Sequence, residues 1–163
     1  MEIRPVQRNE ALAVARAHIQ ADEETYRPIF GAKFRAVALE ESLARWEAAL
    51  TGGDVLLVAA DGEVIVGLAH VHGGWMSALY LLADYRRGGL GKRLLRALLD
   101  ASTALGVTEV EFQCVAANAG AIAFYEAMGA RRIGRKIEGE GDDAWEDIVF
   151  ALSTDAPAAS RRG

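Results

Sequence analysis

Cys114 is the only cysteine in this 163-residue chain, so no disulfide can close within it and a reducing cytoplasm is the expected compartment. No apolar run approaches the ~20 residues that a membrane-spanning helix requires, so no membrane partner is expected. The opening stretch MEIRPVQRNEAL lacks the apolar centre of a signal peptide. Positive charge is in deficit, with 18 Lys and Arg against 23 Asp and Glu. The net charge of −5 argues against a general nucleic-acid binder and mildly favours cationic partners. Neither an internal repeat nor a second domain is visible. At 52% hydrophobic and 25% charged, the composition is that of one soluble globular domain, expected over residues 1–152 with a flexible tail over 153–163.

Periodicity supplies the elements. EIRPV at 2–6 alternates like an edge strand, the place where Pro5 is tolerated. Asn9 can cap a helix running to about Ala21 with Leu12, Ala15 and Ile19 on its apolar face. TYRPIFGAKF, 25–34, reads as a loop broken by Pro28 and Gly31. Leu39, Leu43, Trp46 and Leu50 recur at helical spacing, and Gly52-Gly53 ends that helix. Residues 54–60 and 63–72 flank Asp61-Gly62 as a hairpin, and Gly73-Gly74 turns the chain into a third strand, WMSALYLL. Leu90, Leu94, Leu95, Leu98 and Leu99 form one stripe of a helix ending at Gly106. A strand follows over 107–115, with Val110, Phe112 and Cys114 on one face. A short helix over 119–128 is capped by Asn118, and a last hairpin over 131–138 and 145–152 closes the domain. The expected fold is α/β (α+β), a mixed sheet of about seven strands with about four helices on its two faces.

Chemistry concentrates in DYRRGGLGKRLL, 84–95, with three glycines and four cations between a strand and a helix. Free N–H groups and the helix dipole attract anions there, and phosphate is the economical ligand. A Walker loop would need glycine at Arg86 and Ser or Thr at Arg93. A dinucleotide fingerprint beginning at Gly89 would put its third glycine at Leu94, and its ribose acid, Glu109, falls at the wrong end of the next strand.

What remains, Arg86-x-x-Gly89-x-Gly91, resembles the coenzyme A pyrophosphate loop of the GNAT superfamily of N-acetyltransferases. Asn118-Ala-Gly-Ala121-Ile122-Ala-Phe124-Tyr125-Glu126-Ala-Met128-Gly129 is similar to the second signature of that family. The predicted element order follows the same fold from Glu2 to Leu152. The resemblance implies an acyl-CoA N-acyltransferase fold with acetyl-CoA as cosubstrate and no metal. It also implies direct transfer of acetyl to a primary amine of a small molecule or peptide, by a monomer or homodimer. Cofactor contacts are implied for the backbone of Leu81 and Leu82, for Arg86, Arg87, Gly88, Gly89, Leu90, Gly91 and Lys92 around the pyrophosphate, and for Asn118 beside pantetheine. Asn118 would cap its helix in either case. Tyr125 matches the family tyrosine that protonates the departing thiolate, though a helix-face aromatic packs on a core equally well.

The proton acceptor has no obvious owner, because Gly74 to Leu82 contains no carboxylate. Asp22, Glu23 and Glu24, near Tyr26 and Phe30, border the acceptor side in this fold and can attract or deprotonate an amine, or can be a solvated helix end. His70 and His72, on one strand face with Val64, Val66 and Leu68, can relay a proton, supply half a metal site or simply pack; His72 is the one assigned to the acceptor. Cys114 lacks any neighbour that would lower its pKa and reads as a structural thiol. The alternative to an enzyme is a non-catalytic CoA-binding sensor, or a degenerate acetyltransferase module.

Overall fold

A computed structural model describes residues 1–155 of the chain. Seven strands form one sheet: β1 (Glu2–Pro5), β2 (Val55–Asp61), β3 (Val64–His72), β4 (Trp75–Leu81), β5 (Glu109–Val115), β6 (Arg131–Glu138) and β7 (Trp145–Ser153). Their order is β1-β2-β3-β4-β5-β7-β6. All neighbours are antiparallel except β4 and β5, the one pair joined by a crossover helix. The helices are α1 (Ala11–Phe30), α2 (Leu39–Thr51), α3 (Leu90–Ala104) and α4 (Ala119–Ala127). None of the described helices is long and apolar enough to cross a membrane.

The sheet separates two cores. On one face α1 and α2 pack Val14, Ala15, Ala17, Trp46 and Ala49 against Leu56, Val58, Ile65, Leu68 and Ala78. On the other, the α3 stripe of Leu94, Leu95, Leu98 and Leu99 and α4's Ile122 and Tyr125 meet Leu57, Ala69, Val71, Phe112 and Phe150. The leucine stripe sits as its spacing predicts, every member buried.

Four local expectations need correction. Asn9 does not cap α1: it lies within a 3₁₀ turn, Arg8–Glu10, that leads into the helix, and Glu10 holds the cap position. The segment expected as a loop over 25–34 is helical through Phe30, with Pro28 inside it. Proline in the last helical turn gives up a single backbone bond, to Glu24. Tertiary ties hold the turn in exchange: Glu24 Oε2 accepts the Ala83 N–H at 2.6 Å, and Arg86 donates to Thr25 Oγ1 at 2.9 Å. The apolar face of α1 is also displaced. Leu12 is 43% exposed, while Val14, Ala15, His18 and Ala21 are buried, since small residues let the helix lie close to the sheet. Val66 and Leu68 lie on opposite faces, because a bulge in β3 at Val66 inserts one residue opposite Ala59 and Ala60.

The last strand runs through Ser153, and Thr154 follows it into the fold, buried and bonded from its N–H to the Thr108 carbonyl at 3.0 Å. The remainder of the expected tail, 156–163, lies outside the described residues.

Candidate active site

Ser77 is an extra residue in β4: His70 pairs with Ala78 and Val71 with Met76, leaving Ser77 bulged between them. Beside this bulge the sheet parts. β4 meets β5 at a single register pair, Trp75 with Glu111, secured by the Glu111 N–H on the Gly74 carbonyl at 2.9 Å. Beyond it β4 follows β3, β5 follows β7, and a gap opens toward the C-terminal end of β4.

Register decides which peptide groups face that gap. Leu82 donates its N–H to the Val66 carbonyl at 2.9 Å, so Leu82 and, two residues back, Tyr80 point toward β3. The groups of Leu79 and Leu81 therefore point toward β5 and the gap. Both backbone groups of Leu82 are engaged, the carbonyl by the Tyr85 N–H at 2.9 Å. Arg86 turns its side chain inward, donating to the Leu81 carbonyl at 3.0 Å and to Thr25. It braces the loop against β4 and α1.

The loop itself is a run of unsatisfied donors. Arg86 gives its N–H to Ala83, and Arg93 gives its own to Gly89 in the first bond of α3. Between them, the N–H groups of Arg87, Gly88, Gly89, Leu90, Gly91 and Lys92 meet no acceptor among the described residues. Gly89 caps α3 at φ 83°, a conformation open chiefly to glycine, and Arg87 is held at φ 68°. A Cβ on Gly88 would touch nothing within 4 Å. Packing of the chain thus gives no reason for glycine at 88, while close approach of an anion does. These residues fit a phosphate group: successive N–H donors without an acceptor at a helix start, with Arg87 and Lys92 exposed beside them. Gly91 lies under the loop, where its Cβ position is 3.5 Å from Leu81 and 3.7 Å from Phe124.

Asn118 caps α4, its Oδ1 accepting the Ala121 N–H at 3.2 Å. Two turns later Tyr125 packs its ring on Phe112 at 4.5 Å between centroids, and on Phe124 and Phe150. The Tyr125 side chain is nine-tenths buried, yet its hydroxyl has no hydrogen bond to another described residue. Burial, reinforced by Cys114 and Tyr26, raises its pKa far above the ordinary phenol value, so it keeps its proton.

Across the gap α1 meets the strands beyond it. Tyr26 stacks toward Phe30 (6.1 Å), and Phe30 packs edge-on against Trp145 of β7 (5.4 Å). Tyr80 interacts with both Asp22 and Tyr26, and Tyr26 feels Cys114 and Asp147 from the far side. Two carboxyl groups therefore border one aromatic slot. Burial raises the pKa of Asp22 against the opposing pull of Tyr80 and Arg45; burial likewise raises Asp147 against hydrogen bonds from Gln113 (2.9 Å) and Trp145 (3.0 Å). Cys114 is buried and pushed up to about 11, as a structural thiol should be.

Of the expected acidic trio, the structure brings only Asp22 to the slot. Glu23 pairs with Arg27 on the surface at 3.0 Å, and Glu24 is spent on the Ala83 N–H. His72 stands away from it, its side chain 71% exposed and bonded to Asp54. Asp147, Gln113 and Trp145 escape the sequence reading. A lone carboxylate in the otherwise apolar strand stretch DIVFAL was the available signal.

The GNAT acetyltransferase family model matches residues 15–130. The chain is 41% identical over 59 residues to L-ornithine N5-acetyltransferase of Arabidopsis thaliana, a match covering 36% of this chain and 26% of that enzyme. It is 46% identical over 71 residues to the ribosomal protein bS18-alanine N-acetyltransferase of Escherichia coli K12, covering 42% of this chain and 48% of that one. The matches thus span about a quarter and about half of the length of these curated relatives. A Salmonella typhimurium protein described as an acetyltransferase, solved with its cofactor acetyl-CoA, has the same fold. Its TM-score is 0.76 at 22% identity over 95% of this chain and 94% of that one. The chain belongs to the GNAT family of acetyltransferases.

Proposed function

We propose that this protein is an acetyl-CoA-dependent N-acetyltransferase that moves acetyl directly to a primary amine of a small molecule or peptide. The observation that carries this reading is the run of six unbonded N–H groups, Arg87 to Lys92, at the mouth of the gap between β4 and β5. Bound there, acetyl-CoA would supply the activated acetyl thioester. The loop N–H groups, with the Arg87 and Lys92 side chains, would hold its pyrophosphate. The Leu79 and Leu81 N–H groups face the gap, where a donor can stabilise an acyl oxygen as it gains charge. Leu82, with both backbone groups engaged, is better suited to fixing the strand than to touching the ligand. The Asn118 amide N–H₂ remains for a pantetheine carbonyl once its oxygen has capped α4. Tyr125 keeps its proton in the apolar cluster and can release it to a departing thiolate.

The acceptor would enter between Tyr26, Phe30 and Trp145 and meet Asp22 and Asp147. Partly buried carboxylates are screened less than exposed ones and attract a cationic amine to the slot. Holding amine and thioester in one slot removes much of the entropic barrier. The curated relatives act on ornithine and on a ribosomal-protein alanine, which supports an amino-group acceptor without selecting between small molecule and peptide. The cytoplasm is the compartment that suits a lone buried thiol. The test is release of free CoA thiol from acetyl-CoA across a panel of amino acids, diamines and peptide N-termini. Turnover on at least one amine, with the acetylated product seen by mass spectrometry, is expected. Tight acetyl-CoA binding with no turnover on any amine would establish a sensor instead.

A further inference from the structure

Beneath the bulge at Ser77 lies a cluster that neither the donor loop nor the aromatic slot accounts for. Asp54, on the approach to β2, has a side chain only 7% exposed and accepts from two histidines of β3. Its Oδ2 lies 2.6 Å from His70 Nε2, and its Oδ1 contacts His72 Nδ1. The second ring nitrogen of His70, Nδ1, is 2.5 Å from Ser77 Oγ. Arg45 of α2 donates to that Oγ at 2.9 Å and to the Ser77 carbonyl at 3.1 Å.

Donor accounting places the protons. A guanidinium only donates, so Arg45 occupies a lone pair of Ser77 Oγ. The Asp54 carboxylate only accepts, so His70 carries its proton on Nε2, and in the neutral ring Nδ1 is the bare nitrogen that takes the Ser77 hydroxyl proton. His70 Nε2–H consequently donates to Asp54, and His72 Nδ1–H takes the other carboxylate oxygen. A hydroxyl, an imidazole whose lone pair faces it, and a buried carboxylate behind the ring form the arrangement that draws a proton off a hydroxyl. Burial holds His70 below the ordinary histidine pKa, with Asp54 opposing, so the ring is neutral and able to accept at neutral pH. No group of three described side chains here suits a metal ion. The charged and titratable groups facing His70 are Asp54, His72 of its own strand and Arg45 of α2; the Trp46 indole, 5.5 Å from the His70 ring, separates it from His18 of α1.

The location gives this cluster a task. Ser77 is the residue at which β4 leaves β5, and Arg45 is in electrostatic reach of Asp22 and Tyr80 at the slot. Building on the acetyltransferase reading above, we propose that Ser77, His70 and Asp54 form a relay that takes the proton of the acceptor ammonium. That proton passes to Ser77 Oγ, directly or through one water, as the Ser77 proton passes to His70 Nδ1. One proton leaves the ammonium, one arrives on the imidazole, and Asp54 balances the new charge. After the amide leaves, His70 returns its proton through Ser77 to water in the open slot. Ser77 is the group that touches the amine; His70 and Asp54 are positioning residues, and His72 keeps the far carboxylate oxygen occupied.

The test is kcat at saturating amine and acetyl-CoA as a function of pH, with acetyl-CoA affinity measured alongside. Wild type is expected to level off above a limb belonging to His70. Ser77→Ala and His70→Gln should each lower kcat at pH 7 by roughly 100-fold and climb with pH as the bound ammonium loses its proton to solvent hydroxide, at unchanged acetyl-CoA affinity. Ser77→Thr, which keeps the hydroxyl, should restore the wild-type profile. The relay is overturned if Ser77→Ala, a substitution small enough to fold where His70→Gln does not, keeps the wild-type profile. It is equally overturned if Ser77→Ala and Ser77→Thr lose activity together with acetyl-CoA binding, since the cluster would then be structural. Failure of the parent reading would show separately, as wild-type protein that releases no thiol on any amine.

Discussion

Along one wall of the gap, formed by β4 and the start of α3, the polar groups offered to a ligand are mostly backbone: the N–H groups of Leu79, Leu81 and Arg87 through Lys92. Along the other, formed by α1, β5 and β7, they are side chains: Asp22, Tyr26, Asp147 and Trp145. Backbone donors do not titrate, and their positions follow from the fold, which suits a ligand of fixed shape such as a pyrophosphate. Side chains can be exchanged one at a time without disturbing the sheet, and their charge depends on pH and burial. The first wall suits an invariant cosubstrate, the second a particular acceptor.

Tyr125 stands where the walls meet, and its removal should have the largest effect. Tyr125→Phe preserves the ring contacts with Phe112, Phe124 and Phe150 and deletes only the unpaired hydroxyl. Turnover should fall by ~10²–10⁴-fold with unchanged acetyl-CoA affinity. Unchanged kcat, with chemistry shown to be rate-limiting, would take the residue out of the reaction.

Acid should loosen the side-chain wall first. His18, 2% exposed between α1 and α2, takes the Trp46 indole N–H on Nδ1 at 3.3 Å and lies 2.8 Å from Ser42 Oγ. An indole only donates, so Nδ1 must be unprotonated. Burial, with Arg45 adding to it, lowers the pKa of His18 from 6.5 to about 4. The unfolded chain therefore binds this proton at higher pH than the folded one, and stability falls as pH drops from about 6.5 toward 4. The loss should approach ~3 kcal/mol at the acid end. Chemical denaturation across this range checks it: His18→Gln, which can still accept from Trp46, should flatten the curve, and the same acid loss in that variant would refute the assignment.

A third comparison isolates the backbone wall. Gly88→Ala introduces a Cβ that meets nothing in the chain, so melting without ligand should not change. Acetyl-CoA affinity should fall about tenfold, roughly 1.4 kcal/mol, because the methyl stands where the phosphate approaches. Gly89→Ala should cost affinity and also ~1–2 kcal/mol of fold stability through its left-handed backbone. Arg93→Ala should do little, since that guanidinium turns to the Met1 carbonyl at 3.4 Å. Equal losses from Gly88→Ala and Arg93→Ala in calorimetry would mean that charge, not backbone access, governs binding.

The same contrast explains what could be read from the sequence. The donor loop was legible because its signals are local: three glycines, a strand before and a leucine stripe after. The side-chain wall was not, because it is assembled from residues more than 100 positions apart, and no periodicity links Tyr26 to Asp147. Pro28 misled for a related reason. Its local meaning is a break, and the ties from Ala83 and Arg86 that keep α1 helical come from the far side of the chain. Ser77 was unreadable as a bulge because strand alternation carries no mark of an inserted residue until both neighbours are known.

The smallest effect discriminates within the acidic segment itself. Asp22, Glu23 and Glu24 are consecutive, and an exposed acidic rim would make them interchangeable in steering a cation. The helix gives each a different direction: Asp22 to the slot, Glu23 outward to Arg27, Glu24 to the Ala83 N–H. A partly buried carboxylate is screened less than an exposed one, so the attraction should rest on Asp22 alone. Asp22→Asn should raise KM for a cationic amine by about fivefold, roughly 1 kcal/mol, and flatten its salt dependence, with a lesser effect on kcat. Glu23→Gln should leave KM and its salt response at wild-type values, since an exposed i,i+4 pair with Arg27 contributes little to anything. Were Glu23→Gln to raise KM as much as Asp22→Asn, the acceptor would be sensing the general field of the helix end, and the aromatic slot would lose its claim to the amine.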